Sequence, residues 1–159
     1  MILTNKFIAD DMVGKLARFL RILGYDTVYE IDIDNNRLID IALRDERIIL
    51  TRDTSLIQRT LVNNYLLLES DDPEEQLRSV IEYFGLKPSH SGFLSLCLEC
   101  NLELIEIPKS EIAGRVWPYV YDHHDEFRIC KSCGRIYWRG DHVHAMIARL
   151  QLWGIELAD

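Results

Sequence analysis

The chain contains four cysteines, and all of them lie in two Cys-x-x-Cys pairs in its C-terminal half. The pairs are Cys97/Cys100 and Cys130/Cys133. Four thiolates in two short pairs suit one tetrahedral zinc ion, and four protein ligands leave no open position for catalysis. Asn101 and Gly134 follow the pairs, and both tolerate the positive φ that a metal knuckle requires. The competing interpretations are unpaired core cysteines and a redox dithiol. A redox pair would normally open a helix after a strand, and neither pair has that context. The pattern therefore predicts a structural zinc ribbon.

A second group of candidate residues consists of aspartates near the ends of predicted strands. Asp10 and Asp11 follow the apolar run Phe7-Ile8-Ala9, and Asp53 follows Ile48-Ile49-Leu50-Thr51-Arg52. Ligands of parallel α/β sheets collect beyond the carboxyl ends of the strands. Carboxylates gathered there bind Mg²⁺ or Mn²⁺, which activate water and stabilise charge on a phosphodiester. The competing interpretation is structural, because an aspartate after a strand is often only the N-cap of the next helix.

The elements that must position these residues alternate between strand and helix. Strands are predicted at 6–9, Tyr25 to Tyr29, Arg47 to Thr51 and Tyr65 to Leu68, and helices at 16–23, 38–43, 54–63, 72–84 and 142–152. Such alternation predicts an α/β fold with a doubly wound parallel sheet. Residues 86–92 read as a linker. We therefore expect an α/β domain at 1–88, and a zinc ribbon with a C-terminal helix at 93–159.

Charge limits the function classes. The net charge of −8 argues against a protein that binds nucleic acid by electrostatics alone, but an acidic metal site is compatible with it. One basic stretch, 127–140, mixes aromatic residues with arginines that carry no neighbouring acid. Such a mixture can stack bases and hold phosphates, or its aromatics can pack the ribbon against the main domain.

Neither a membrane span nor a secretory signal is expected. No stretch approaches the roughly 18 apolar residues that a span needs, and the first residues lack the apolar core of a signal peptide. A cytoplasmic location is therefore predicted, and a reducing compartment favours metal over disulfides.

Three motifs together resemble a known family. They are the run from Asp10-Asp11-Met12-Val13-Gly14-Lys15 to Gly24-Tyr25-Asp26, the stretch Leu50-Thr51-Arg52-Asp53, and the ending Cys133-Gly134-Arg135-Ile136-Tyr137-Trp138-x-Gly140-x-His142. They look like the PIN-like ribonuclease family with a fused zinc ribbon, which is named for the C-terminal domain of the mut-seven exonuclease. The resemblance covers nearly the whole chain, and it implies a PIN-like fold and metal-dependent cleavage of RNA.

Carried over by position, the resemblance assigns Asp10 and Asp53 as metal-binding acids. A third acid is expected where this chain has Asn35, which leaves two alternatives: the adjacent Asp34 serves instead, or Asn35 weakens the site. Relatives also tend to have a small residue at the position of Asp11. The predicted catalytic residues are therefore Asp10, Asp34 and Asp53, and the predicted ligands of Mg²⁺ or Mn²⁺ are these three and Asp11.

The leading hypothesis is an endoribonuclease with one structural zinc ion and a catalytic Mg²⁺ or Mn²⁺ site. The residues expected to contact RNA are Lys15, Arg18, Arg52, Arg128, Arg135, Trp138 and Arg139. Two other hypotheses stay open. One is a non-catalytic RNA-binding module in which the ribbon reads RNA. The other is a signalling receiver with Asp53 as phosphoacceptor.

Overall fold

The computed structural model of this protein describes residues 5–159, which form fifteen elements in that range. The strands are β1 (Phe7–Ala9), β2 (Thr27–Val28), β3 (Ile48–Thr51), β4 (Tyr65–Leu67), β5 (Ile105–Ile107), β6 (Phe127–Ile129) and β7 (Ile136–Tyr137). The helices are α1 (Gly14–Ile22), α2 (Asn35–Arg44), α3 (Thr54–Ile57), α4 (Pro73–Phe84), α5 (Pro118–His123) and α6 (Asp141–Leu152). Two short 3₁₀ turns occupy Asp11–Val13 and Lys109–Glu111.

The first four strands form a parallel sheet in the order β2-β1-β3-β4. Strand β1 pairs with both β2 and β3, so the strand order reverses between β1 and β3. Alternate residues of the strands enter two cores. Phe7 and Leu50 lie in the larger core with α1 and α4, while Ile8 and Ile49 lie in a smaller core with α2 and α3. The predicted α/β class with a parallel sheet covered on both faces is confirmed.

Local sequence signals determine most element boundaries. The Asp72 side chain accepts a hydrogen bond from the Glu74 backbone N–H at the start of α4, and Gly85 ends the helix at φ 61°. Two predicted elements are shorter than expected. Strand β2 has two residues instead of five, and the helix predicted at 54–63 ends at Ile57.

The C-terminal half contains the second sheet. Strands β5, β6 and β7 are antiparallel neighbours, and the four cysteines lie on the loops beside them. Asn101 at φ 60° and Gly134 at φ 74° close the two knuckles, as their positions after the cysteine pairs predict. The final helix α6 begins and ends within one residue of its prediction.

The larger core continues from the sheet into the C-terminal half. Phe93, Val143 and Leu150 are buried in the same cluster as Leu16 and Leu77 of α1 and α4. The backbones also touch, because a Cβ atom added at Gly24 would lie 2.3 Å from the Gly92 carbonyl oxygen. The two halves of the chain are therefore packed together, while the predicted division between 88 and 93 stays a prediction.

Among the helices of residues 5–159, none is long and apolar enough to cross a membrane.

Candidate active site and metal centre

Two of the predicted acids lie at the edge of the sheet where β1 and β3 end. The Asp10 backbone N–H donates to the Leu50 carbonyl oxygen at 3.1 Å, which ties these strand ends together. The Asp10 carboxylate is buried and accepts one hydrogen bond from the Met12 backbone N–H at 2.8 Å and another from the Thr51 hydroxyl. The same Thr51 oxygen accepts a hydrogen bond from the Asp53 backbone N–H at 2.9 Å. Thr51 therefore connects the two acids.

The Asp53 carboxylate is fixed by the helix that follows it. One of its oxygens, Oδ1, accepts hydrogen bonds from the Ser55 hydroxyl at 2.6 Å and the Ser55 backbone N–H at 2.9 Å. These two bonds lower the pKa of Asp53, and the Leu56 backbone N–H and the Asn35 side chain add to the effect. The carboxylate therefore stays ionised at neutral pH. Asn35, which occupies the position where relatives are expected to have an acid, lies beside Asp53.

The remaining acids at this edge have other partners. Asp34 is exposed and caps α2, where its Oδ1 accepts from the Arg37 backbone N–H at 2.9 Å. Asp11 accepts from the Asp32 backbone N–H at 3.1 Å and from the Tyr29 hydroxyl at 3.4 Å. Burial, and then the charge of Asp11, raise the pKa of Tyr29. The predicted role of Asp34 and Asp11 as ligands of Mg²⁺ or Mn²⁺ stays a prediction.

Three basic residues near the acids were predicted to hold RNA. Lys15 and Arg18 are exposed on α1, and Arg18 lies 3.8 Å from the Glu99 carboxylate. The Arg52 Nε atom is buried and has no hydrogen-bond partner within residues 5–159. Because Arg52 lies between Thr51 and Asp53, its side chain leaves the backbone within the site.

The four cysteines come together as predicted. Their four sulfur atoms all lie within 4.8 Å of one another, and the Cys97 and Cys133 sulfurs are 3.7 Å apart. Zn–S bonds of about 2.3 Å in a tetrahedron place sulfurs about 3.8 Å apart, so these residues can hold one zinc ion. In the part of the chain that the structure describes, no other set of three acids, histidines or cysteines is as close. The Tyr137 hydroxyl lies 3.2 Å from the Cys97 sulfur and accepts a hydrogen bond from the Leu98 backbone N–H.

The first knuckle docks on the opposite end of the sheet from the acids. The buried Arg21 donates from Nε to the Thr27 carbonyl oxygen and from Nη1 to the Leu98 carbonyl oxygen, at 2.8 and 2.7 Å. The Asn101 side chain accepts from the Thr27 backbone N–H at 2.9 Å and donates to Asp26 at 2.6 Å. Thr27 begins β2, so the knuckle contacts the sheet where its strands begin. Burial lowers the pKa of Arg21, although the nearby thiols and carboxylates favour its charged form.

The basic and aromatic stretch of the ribbon contains residues that pack against other aromatic rings and residues that are exposed to solvent. The Arg139 guanidinium lies 5.9 Å from the ring centroid of the buried Phe93, and Trp138 packs between Phe127 and His142 at 6.5 and 6.2 Å. Arg135 is exposed, and within residues 5–159 its side chain has no carboxylate partner. The RNA-binding role of these residues and of Arg128 stays a prediction.

The sequence interpretation missed four residues that organise these sites: Thr51, Ser55, Arg21 and Tyr29. A polar residue at the end of the apolar run Ile48-Ile49-Leu50 is the signal that could have identified Thr51. The others are recognisable only from their partners, because nothing local distinguishes Arg21 from the exposed Arg18 three residues before it.

Comparison with known proteins agrees with this geometry. A family model described as the Mut7-C RNAse domain matches residues 5–150. The human protein named exonuclease mut-7 homolog is 29% identical over 118 residues, which cover 70% of this chain and 14% of that protein. The chain thus spans about one seventh of the length of this relative. No solved structure matches. These similarities indicate a nuclease-related function, and because the family model covers most of the chain, the chain belongs to the Mut7-C RNAse domain family.

Proposed function

We propose that this protein is a metal-dependent ribonuclease, most simply an endonuclease, that cleaves RNA at the sheet edge containing Asp10 and Asp53. The observation that carries the proposal is the link through Thr51, whose hydroxyl contacts the Asp10 carboxylate and the Asp53 backbone N–H and so ties the two acidic residues to one edge of the sheet. The family model and the human relative, whose names refer to an RNase domain and an exonuclease, support an RNA substrate.

The donor atoms at this edge suit a hard divalent cation. Asp10, Asp53 and Asn35 offer carboxylate and amide oxygens, which Mg²⁺ and Mn²⁺ prefer over nitrogen and sulfur. Asp34 and Asp11 are the further ligands of the proposal, and their carboxylates would have to move toward a bound cation, because within residues 5–159 no three acids lie as close together as the cysteine sulfurs. A bound cation would lower the pKa of a water molecule and neutralise charge on the phosphodiester.

The chain's own residues have distinct roles in the proposal. Thr51 and Met12 hold the Asp10 carboxylate in one orientation, and the two hydrogen bonds from Ser55 hold the Asp53 carboxylate and lower its pKa. Arg52 stands between Thr51 and Asp53 in the chain and is half-buried, and in the proposal its guanidinium group contributes positive charge beside the acids. Lys15 at the start of α1 and Arg18 one turn later, which lies near Glu99, would add positive charge for the RNA backbone.

The cysteine site has a different role. Four thiolates close the coordination of a zinc ion, so zinc would stabilise the ribbon and take no part in cleavage. We propose one tightly held zinc ion per chain and a weakly held catalytic Mg²⁺ or Mn²⁺, because Mg²⁺ keeps several of its waters.

The test is cleavage of labelled single-stranded and structured RNA with added Mn²⁺. Wild-type protein should cleave, while Asp10→Asn and Asp53→Asn should each lower the rate by at least about a hundredfold, since one charged ligand is lost. Asp40→Asn, on the exposed side of α2, is the matched control and should cleave normally. Equal cleavage by the wild type and Asp10→Asn would place the activity elsewhere or in a contaminant.

The second candidate is a non-catalytic RNA-binding module, and Asn35 favours it because the amide adds no negative charge to the site. RNA binding without Mn²⁺-dependent cleavage in the same experiment would select it. The receiver hypothesis makes a separate prediction: acetyl phosphate should label wild-type protein and should fail to label Asp53→Asn.

A further inference from the structure

The ribbon contains a cleft that none of the proposed chemistry uses. Its volume is about 470 Å³, within the range of roughly 300–1,000 Å³ that is usual for small-molecule pockets. Its lining includes Arg115, Trp117, Arg135, Trp138 and the turn glycines Gly114 and Gly134. We call it the tryptophan cleft. Gly134 ends the second zinc knuckle, so one wall of the cleft is built on the metal site.

The lining has an unusual composition for a protein of net charge −8. It includes two tryptophans and two arginines, and no acidic residue. Within residues 5–159 neither Arg115 nor Arg135 has a carboxylate within salt-bridge distance. A neighbouring cleft of about 280 Å³ shares Trp138, but three acids in its lining (Glu106, Asp125 and Glu126) balance three basic residues (Lys109, Arg128 and Arg139). The tryptophan cleft is therefore the one that favours an anionic ligand.

Trp117 is the unexplained residue of this cleft. It precedes α5 and is 79% exposed, which makes it the most exposed aromatic side chain of the described residues. Trp138, in contrast, is held by Phe127 and His142. Both indoles line the same cleft, so a flat ring bound there can contact one or both of them, and the two arginines of the lining can hold the charges attached to it.

We propose that the tryptophan cleft binds an unpaired base of single-stranded RNA by stacking on Trp117 and Trp138, while Arg115 and Arg135 contact the flanking phosphates. Aromatic stacking with arginine contacts is how proteins hold single strands without reading their sequence. This inference rests on the proposed function only for the kind of nucleic acid, because the cleft and the Asp10–Asp53 edge share no residue.

Binding is measured by fluorescence anisotropy of a short fluorescein-labelled oligouridylate. The protein carries Asp10→Asn and contains its zinc, and no divalent cation is added, so that cleavage does not interfere. Trp117→Ala should weaken binding on the order of tenfold, the effect of losing one stacked base. Trp117→Phe, which keeps an aromatic ring, should retain most of the affinity. Because Trp117 is exposed, these variants should keep the melting temperature of the parent.

The matched control is Tyr83→Ala on α4, where the aromatic ring is 67% exposed but lies outside the ribbon. It should bind as the parent does. Arg135→Ala should reduce the salt dependence of log Kd by about 0.7, the value for one phosphate contact on a single strand. A fully paired RNA of the same length should bind at least tenfold more weakly, because its bases are not free to stack.

The outcomes separate this inference from the proposed nuclease. Unchanged affinity in both Trp117→Ala and Arg135→Ala would overturn the cleft assignment, even if the wild type cleaves RNA. Equal affinity for polyglutamate and for the RNA would also overturn it, in favour of an acidic peptide ligand. Loss of binding in Trp117→Ala together with inactive wild-type protein would support the cleft and reject the nuclease.

Discussion

The Thr51 hydroxyl donates a hydrogen bond to the buried carboxylate of Asp10, and this bond joins the ends of two neighbouring parallel strands. The same oxygen accepts the backbone N–H of Asp53. A single hydroxyl group thereby links the carboxylate of one acid to the backbone of the other.

Replacing Thr51 by valine keeps the shape of the side chain but removes this hydroxyl. The Asp10 carboxylate would lose a buried partner, which costs about 1–3 kcal/mol of the free energy of unfolding. Urea denaturation measures the loss, and cleavage of labelled RNA should fall with it. Thr51→Ser retains the hydroxyl and should keep both properties near those of the wild type. Equal stability of the valine and serine variants would contradict the role given to the hydroxyl.

The lowered pKa of Asp53 makes a prediction about pH. A carboxylate whose pKa is lower in the folded state stabilises the fold above its unfolded value of about 3.9, and this contribution disappears as the pH falls through the folded value. Ser55→Ala removes the hydroxyl that is the first cause of the shift, so the Asp53 pKa should rise in an NMR titration. The difference in free energy of unfolding between this variant and the wild type should be present at neutral pH and should disappear as the pH falls through the folded pKa of Asp53.

Ser79→Ala provides the control for that experiment. The Ser79 hydroxyl donates to a backbone carbonyl of α4 and touches no carboxylate. The difference in free energy of unfolding between Ser79→Ala and the wild type should therefore not change with pH. A Ser55→Ala gap that is equally independent of pH would show that the hydroxyl acts on the helix alone.

Asn101 combines a strained backbone with a side chain that bridges the knuckle and the sheet. Asn101→Gly keeps the positive φ at no steric cost but loses the bonds to Thr27 and Asp26. Asn101→Ala loses these bonds and also strains the backbone, by about 1–2 kcal/mol. The free energy of unfolding, measured by denaturation, should therefore be highest for the wild type, lower for the glycine variant and lowest for the alanine variant. An alanine variant as stable as the glycine variant would mean that the loop relaxes out of positive φ.

Metal analysis should find about one zinc ion per chain, bound by the four cysteines. Cys100→Ser should release it, and its loss should lower the melting temperature because zinc binding and ribbon folding are coupled. Tyr137→Phe leaves all four ligands in place and should retain zinc, but should release it faster to a colorimetric chelator, since the hydroxyl next to Cys97 is lost. Full zinc retention by Cys100→Ser would contradict the proposed ligand set.

The parts of the structure that the sequence predicted well carry strong local signals. Helix α4 has its N-cap, its proline and its terminal glycine within the segment itself, and the knuckles have paired cysteines followed by Asn101 and Gly134. Strand β2 was predicted too long because Tyr25 and Tyr29 also favour a strand, whereas only Thr27 and Val28 pair with β1. The polar network at the acids was predicted only in part, since Thr51 and Asn35 acquire their roles from residues distant in sequence.

Because the core described above includes residues of both halves, we expect the chain to unfold as one cooperative unit. Phe93 and the inner face of α6 cover the apolar surfaces of α1 and α4, so a fragment that ends at residue 88 would expose them to water. Whatever loosens the ribbon would then raise the unfolded fraction of the whole molecule, and protease susceptibility at the acid edge would increase with it. In a longer protein that contains this unit, a substitution at a cysteine would reduce the abundance of the chain even when every acid is intact.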